Sequence, residues 1–497
     1  MTLDAQLPAL QIVVPMLTAP LVVLMRVRGL PWLTATAASL MAFAIAVALM
    51  LETLGGNTLS YAMGGWAPPY GIELRIDVFN ALLLMVVTGA SSVALLAGRA
   101  SLDRDIPEVK QPLFYSAWLL AVAGLTGIAA SGDAFNIFVF MEIASLASYI
   151  LVAAGPDKRA LTAVFKYLVM GTIGATFYLI GVGLIYMMTG TLNLADMAER
   201  LSDVSDYKPI LTAAGFITVG LALKAAVFPL HAWLPNAYTF APNIVTVFIA
   251  ACSTKVSIYV LLRFDFVVFQ SALANHEIRF ASFLMPLALL GMLAGSAVAM
   301  FERDLKRLLA WSSVAQLGYI MLGASLVSMT GLTAAVVHIF NHALIKGALF
   351  LAVACLGMRL SGLRLDRLGG AGQAMPLTMA AFLLAALSLI GVPGTTGFIS
   401  KWYLISAALE QGALGGLLVA AILVSSLMAV AYVWRIVEAA WFQAPVADGP
   451  PLREAPAWML AVTCAVALAN LGFGLAPGLP LMLAREAAAA LIGASSP

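Results

Sequence analysis

Eight ionisable side chains stand inside strongly apolar runs of this chain: Glu142, Lys224, His231, Lys255, His338, His342, Lys346 and Lys401. Their types suit one kind of chemistry. Imidazole changes charge near neutral pH and can accept a proton at one nitrogen while releasing one from the other. Apolar surroundings weaken the preference of an amine or a carboxylate for its charged form, so both can trade protons with such a neighbour. The stretch His338-Ile-Phe-Asn-His342-Ala-Leu-Ile-Lys346 sets two imidazoles and an amine at i, i+4 and i+8, on one helix face. Two histidines one turn apart could also ligate haem or a metal, but no third histidine, paired carboxylate or nearby cysteine accompanies them. The residues read as a proton relay.

The elements that hold them must be membrane helices. Of the 497 residues, 62% are apolar and 10% charged, and the mean hydropathy is +1.00. A soluble globular chain is about 25% charged, so an ordinary cytosolic enzyme is excluded, and so is a disordered chain. A net charge of +2 is too small for a nucleic-acid partner. Cys252, Cys355 and Cys464 lie too far apart for a disulfide framework or a CxxC site. A hydrocarbon core needs about 20 apolar residues per helix. Fourteen such runs fall near 8–25, 31–52, 76–98, 112–131, 133–154, 161–188, 210–235, 242–262, 280–300, 307–328, 331–357, 374–409, 413–440 and 457–476. The runs are continuous rather than alternating, which argues against a β-barrel. The first follows Met1–Leu7, which has no Lys or Arg, so no separate cleaved leader is expected.

Cations set the orientation. Loops leaving odd-numbered spans, Lys306 among them, carry fifteen Lys and Arg. Loops leaving even-numbered spans, with the two tails, carry six: Arg75, Arg200, Lys208, Arg263, Arg279 and Arg485. Both termini are therefore expected on the non-cytoplasmic side. Five lysines remain inside spans: Lys166, Lys224, Lys255, Lys346 and Lys401. Each costs about 2.5–3.5 kcal/mol near a bilayer centre unless paired or hydrated. Lys166, about two turns from its loop, is expected to snorkel to the interface. Glu142 follows Asp133 by nine residues, about 13 Å at helical rise and close to the midplane.

Helix breakers sit beside two of the lysines. The seventh span reads Lys224-Ala-Ala-Val-Phe-Pro229-Leu-His231-Ala-Trp-Leu-Pro235, and the twelfth Gly391-Val-Pro393-Gly394-Thr-Thr-Gly397-Phe-Ile-Ser-Lys401. In lipid a freed carbonyl needs a new partner, so both spans are expected to be discontinuous and to face a polar cavity. They are five spans apart, which fits two inverted five-helix repeats, helices 4–8 and 9–13. The expected organisation is an N-terminal group of helices 1–3 over residues 1–111, a first repeat 112–262, a second repeat 263–440, and a last helix with its tail, 441–497.

Several motifs carry a resemblance. Ser131-Gly-Asp133 through Glu142, Lys224 to Pro235, Arg303 through Gln316-Leu-Gly318-Tyr319, and His338 to Lys346 resemble the antiporter-like subunits of respiratory complex I and of Mrp-type cation/proton antiporters. Gly397-Phe-Ile-Ser-Lys401-Trp-Tyr and Phe165-Lys166-Tyr with Thr189-Gly-Thr-Leu-Asn193 are most similar to the MrpD branch, the D-type subunits of Mrp antiporters. The resemblance implies fourteen helices with helices 7 and 12 broken. It also implies a charge pair of Glu142 and Lys224, continued by His231, Lys255, His338, His342 and Lys346 and ended by Lys401. Lys401 stands where one complex I subunit has Glu. The implied activity is proton translocation within a multi-subunit Na⁺ or K⁺/H⁺ antiporter of the bacterial cytoplasmic (inner) membrane, alongside other membrane subunits. A redox-driven proton-pumping subunit and a quinone- or haem-binding subunit are the alternatives. No P-loop or dinucleotide motif occurs, so no cofactor is expected.

Overall fold

The computed structural model describes residues 4–204, 207–269, 280–445 and 452–493. Arg279, one of the orienting cations, lies outside the described residues. Helices dominate: α1 Leu7–Val23, α2 Leu30–Thr53, α3 Val78–Asp105, α4 Gln111–Ala130, α5 Ala134–Ala153, α6 Arg159–Thr189, α7 Leu194–Leu201, α8 Tyr207–Ala225, α9 Leu234–Phe240 and α10 Asn243–Arg263. They continue as α11 Phe280–Phe301, α12 Leu305–Ser325, α13 Met329–Gly357, α14 Pro376–Ile390, α15 Thr396–Leu409, α16 Gly415–Trp441, α17 Ala457–Leu475 and α18 Gly478–Ile492. Among the described residues twelve helices are long and apolar enough to cross a membrane. With α1 and the broken pair α14/α15 they make up the fourteen spans, the seventh being α8 with α9. The chain is an all-α polytopic membrane protein.

Burial is uneven along the series. The spans at α4, α10, α12 and α13 are enclosed by protein over most of their length, whereas those at α6, α16 and α17 turn most of their surface outward. The enclosed helices α10, α12 and α13 are where a charged side chain can be shielded from lipid.

One backbone device occurs twice. Asp133 caps α5 by accepting from the Asn136 N–H, and its backbone bridges to Asn193. Asp304 caps α12 by accepting from the Arg307 N–H and bridges to Arg364. The flanking bonds also match: Ala134 N–H to Leu192 O and Leu194 N–H to Gly132 O, against Leu305 N–H to Leu363 O and Leu365 N–H to Arg303 O. The first set joins loops that leave even-numbered spans and the second joins loops that leave odd-numbered ones. A short hairpin, β1 Leu59–Ala62 with β2 Glu73–Ile76, lies on the side of the first set. Asn193 Nδ2 donates to Glu73 Oε2 there at 2.7 Å.

Both expected breaks are present, with one correction. Pro229 falls in the irregular turn between α8 and α9, but Pro235 lies in the first turn of α9. A helix's first turn has no N–H partner to lose, so Pro235 starts a helix instead of breaking one. Pro393 and Gly394 lie between α14 and α15. A backbone donor freed there is re-satisfied by a side chain, since Ser388 Oγ accepts from Gly397 N–H at 3.1 Å, and Asn341 Nδ2 ties the start of α15 to α13 by donating to Thr396 O at 2.7 Å. Gly397 has no alternative, since a Cβ there would sit 1.8 Å from Ser388 O.

The C-terminal tail holds a helix that the apolar runs do not reveal. α18 packs against α13 and α3 and buries Leu483, Ala484, Ala487, Ala488 and Leu491. Lys306 reads in the sequence as a loop cation, yet it is buried. Its Nζ donates to Ala241 O at 2.6 Å, at the C-terminal end of α9, where a helix favours a cation.

Candidate functional site

Of the five lysines placed inside spans, four are enclosed. Lys224, Lys255, Lys346 and Lys401 are buried, while Lys166 sits on the exposed face of α6. His231, His338 and His342 are buried as well.

The first half of the row is a charge pair. Lys224, one residue before the end of α8, donates to Glu142 Oε1 at 3.2 Å and to Ser145 Oγ at 2.7 Å. Glu142 and Ser145 are three apart on α5, so the amine bridges neighbouring positions on one helix face. The Lys224 side chain is 7% exposed and that of Glu142 31%, so the acid reaches the lateral surface of the chain. A cavity beside Lys224 is lined by Ser145, Ser148, Tyr167, Ser253 and Ser257. Hydroxyl groups of three helices therefore lead from Lys224 toward α10.

Lys255 is fully enclosed on α10 and donates to Ala250 O. Its helix packs against α13. On α13 the predicted face is formed: the His338 and His342 rings stack with centroids 6.0 Å apart and 10° between planes. His338 Nδ1 is 2.7 Å from Ser400 Oγ and its Nε2 is 2.9 Å from Gln316 Oε1. Neither ring nitrogen of His342 has a protein partner among the described residues. Lys346 donates to Ser312 Oγ at 2.6 Å and to Leu309 O at 2.8 Å.

Lys401 closes the row. It donates to Ile390 O at 2.7 Å, Leu389 O at 3.2 Å and Ser426 Oγ at 3.0 Å, and lies 4.7 Å from the centroid of the Tyr319 ring. Ser400, its neighbour in sequence, is the residue that contacts His338. The stacked pair of His342 and His338 thus reaches Ser400, the residue before Lys401. His231 lies in the turn between α8 and α9. Its ring stacks on Phe228 at 5.0 Å and meets Trp311 edge-on at 4.9 Å.

Sequence reading names the charges and not the hydroxyls and amides between them. Ser145, Ser312, Gln316, Ser400 and Ser426 each touch a member of the row. Ser312, Gln316 and Ser400 do lie within the singled-out motifs, but a serine in a helix carries no signal of its own.

A polytopic helical protein with two broken spans and a buried line of amines and imidazoles defines a class of ion-translocating membrane subunits. The sequence profile described as NADH:quinone oxidoreductase/Mrp antiporter, TM matches residues 131–429, and the chain belongs to this family. It is 41% identical over 444 residues to an NADH-quinone oxidoreductase subunit N of Desulforudis audaxviator, covering 89% of this chain and 87% of the relative. It is 31% identical over 366 residues to the D subunit of a Na(+)/H(+) antiporter of Alkalihalophilus pseudofirmus, covering 73% and 72%. Among solved structures it is similar to a chain of the Mrp complex from Dietzia sp., with TM-score 0.90, 29% identity and coverage of 99% and 98%.

Proposed function

We propose that this chain is the proton-translocating subunit of a multi-subunit Na⁺ or K⁺/H⁺ antiporter. Protons pass along the mid-membrane row of Glu142, Lys224, His231, Lys255, Lys346, His342, His338 and Lys401, through waters between them. The single observation that carries this is the Lys224–Glu142 ion pair at one end of a line of enclosed amines and imidazoles. While Lys224 faces Glu142 each charge stabilises the other; when the pair opens, the amine can release its proton. The twofold Asp133/Asp304 device supports repeats over 112–262 and 263–440, flanked by 1–111 and 441–497. Both termini lie on the non-cytoplasmic side in this reading.

A carboxylate near mid-depth with a third of its side chain open to the outside must be covered by more than lipid. That supports a partner membrane subunit against α5, in keeping with the multi-subunit Mrp complex to which the fold is similar. The subunit N relative favours a second reading, a proton-pumping subunit of a redox-driven assembly. Identification of co-purifying chains separates the two: small antiporter subunits in one case, iron–sulfur or hydrogenase subunits in the other. Haem ligation by the histidine pair would cost His338 one of its two hydrogen bonds, and a Soret band in the purified protein would revive it.

The relay is tested in vesicles with a pH-sensitive dye and Na⁺ or K⁺ pulses. Glu142→Ala and Lys224→Ala each abolish cation/proton exchange while the complex still assembles. Full exchange by either variant removes the pair from the mechanism.

A further inference from the structure

On the hairpin side a cavity of about 360 Å³ opens between the hairpin, the start of α3, the end of α10 and α18. Exposed Thr58 is at its rim, and the polar side chains of Asp77, Asn80, Tyr259 and Arg263 line it more deeply. These four make one network. Asp77 caps α3, its Oδ1 accepting from the N–H groups of Phe79 at 2.9 Å and Asn80 at 3.1 Å. Its Oδ2 is left for the Arg263 guanidinium. Arg263 also donates to Asn80 Oδ1 at 2.8 Å and to the Tyr259 hydroxyl at 3.3 Å. Tyr259 in turn donates to Ala129 O at 3.1 Å, at the end of α4.

The network stands on the helix that carries the centre of the row. Lys255, Tyr259 and Arg263 recur every fourth residue of α10, on one helix face, so Arg263 lies two turns, about 12 Å, from Lys255 along the axis. An arginine stays charged at any physiological pH. Only 12% of this side chain is exposed, its charge is paired with Asp77 in a cavity that Arg75 and Glu486 also line, and a guanidinium fixed in such a polar passage opposes protons and alkali cations.

We propose that Arg263 is the electrostatic stopper of a hairpin-side path to Lys255, held in place by Asp77, Asn80 and Tyr259. Protons cross between this cavity and the row only when the guanidinium swings away from the neck. The proposal rests on the relay reading and adds to it the site at which one side of the membrane is kept closed.

The test measures passive proton conductance of the whole complex in vesicles, with no exchangeable cation present. Arg263→Gln raises the leak about tenfold, the scale on which a focused charge alters local ion concentration. Arg263→Lys, which keeps the charge, stays near wild type. The double variant Arg263→Gln/Lys255→Gln returns to wild type because the path ends at Lys255. A tight Arg263→Gln complex, or a leak that survives in the double variant, overturns the proposal. A second arm does not depend on Arg263 variants folding: Thr58→Cys in a Cys464→Ser background, treated with a bulky cationic thiol reagent, loses exchange severalfold. Undiminished exchange after complete labelling also overturns it. Lys224→Ala is run in the same vesicles. If that variant still exchanges ions the relay reading fails; if it is dead while Arg263→Gln is tight, only the stopper falls.

Discussion

The two broken spans hold their lysines by different means. At the α8/α9 break Lys224 faces a carboxylate and a hydroxyl on another helix. The carbonyl freed nearby, Leu223 O, is taken at 2.9 Å by the Trp233 indole N–H. At the α14/α15 break Lys401 turns back on the break itself and binds the carbonyls of Leu389 and Ile390. These are the last carbonyls of α14, at the negative end of its dipole. One lysine is held by a carboxylate on another helix from which it can part, the other by two backbone acceptors and the Ser426 hydroxyl. The first is suited to switch and the second to serve as a fixed terminus.

Reversing the charge at Lys401 should give the largest effect. Lys401→Glu sets a carboxylate against two carbonyl oxygens at a helix C-terminus, where it is repelled or forced to take up a proton. Exchange is expected to vanish, and the melting temperature of the purified complex to fall. Glu142→Gln should also stop exchange but with little change in melting, because Ser145 still accepts from Lys224 and the acid is partly exposed. Equal melting losses in the two variants would erase the distinction between switch and terminus.

Next in size are the hydroxyls. Ser145→Ala removes one of two acceptors of Lys224 and Ser426→Ala one of three acceptors of Lys401. A hydrogen bond to a charged group contributes about 1.5–3 kcal/mol when lost outright and less when other acceptors remain. Ser145→Ala should therefore slow exchange more than Ser426→Ala, read as initial rates at matched protein levels. The opposite order would show that Ser426 does more for Lys401 than the carbonyls do.

Much of this is legible in the sequence because membrane burial makes exceptions loud. An amine in a leucine-rich run has to be explained, so Lys224, Lys255, Lys346 and Lys401 stand out, and all four are enclosed. Pro393 and Gly394 announce a break because proline cannot donate to the helix ladder. What stays hidden has no such signal. Backbone carbonyls as the partners of Lys401 have no letter in the sequence. The alanine-rich stretch 478–492 carries Arg485 and Glu486 and is too short to cross a bilayer, so it reads as a tail, although α13 and α3 give it a surface to bury. Lys306 looks like a loop cation because the covering carbonyl, Ala241 O, belongs to the other half of the chain.

The smallest predicted effects concern the backbone at the two breaks. Gly391 ends α14 with φ +92°, and a Cβ there would stand 2.8 Å from Lys401 Cδ. Ala226, just past α8, holds φ 56° with a side chain in place. A non-glycine residue in the left-handed region costs about 1–2 kcal/mol, so Gly391→Ala should destabilise by that amount and also push Lys401 from its carbonyls, lowering exchange. Ala226→Gly should relieve the backbone cost, but glycine adds about 0.5–1 kcal/mol of chain entropy to the unfolded state. The relief outweighs the cost by only about 0.5–1 kcal/mol, so melting should rise by no more than a degree or two and exchange stay unchanged. A large gain in stability for Ala226→Gly would mean that strain at the first break is not offset locally and is carried by the Glu142–Lys224 pair instead, which would make the switch the strained end of the row.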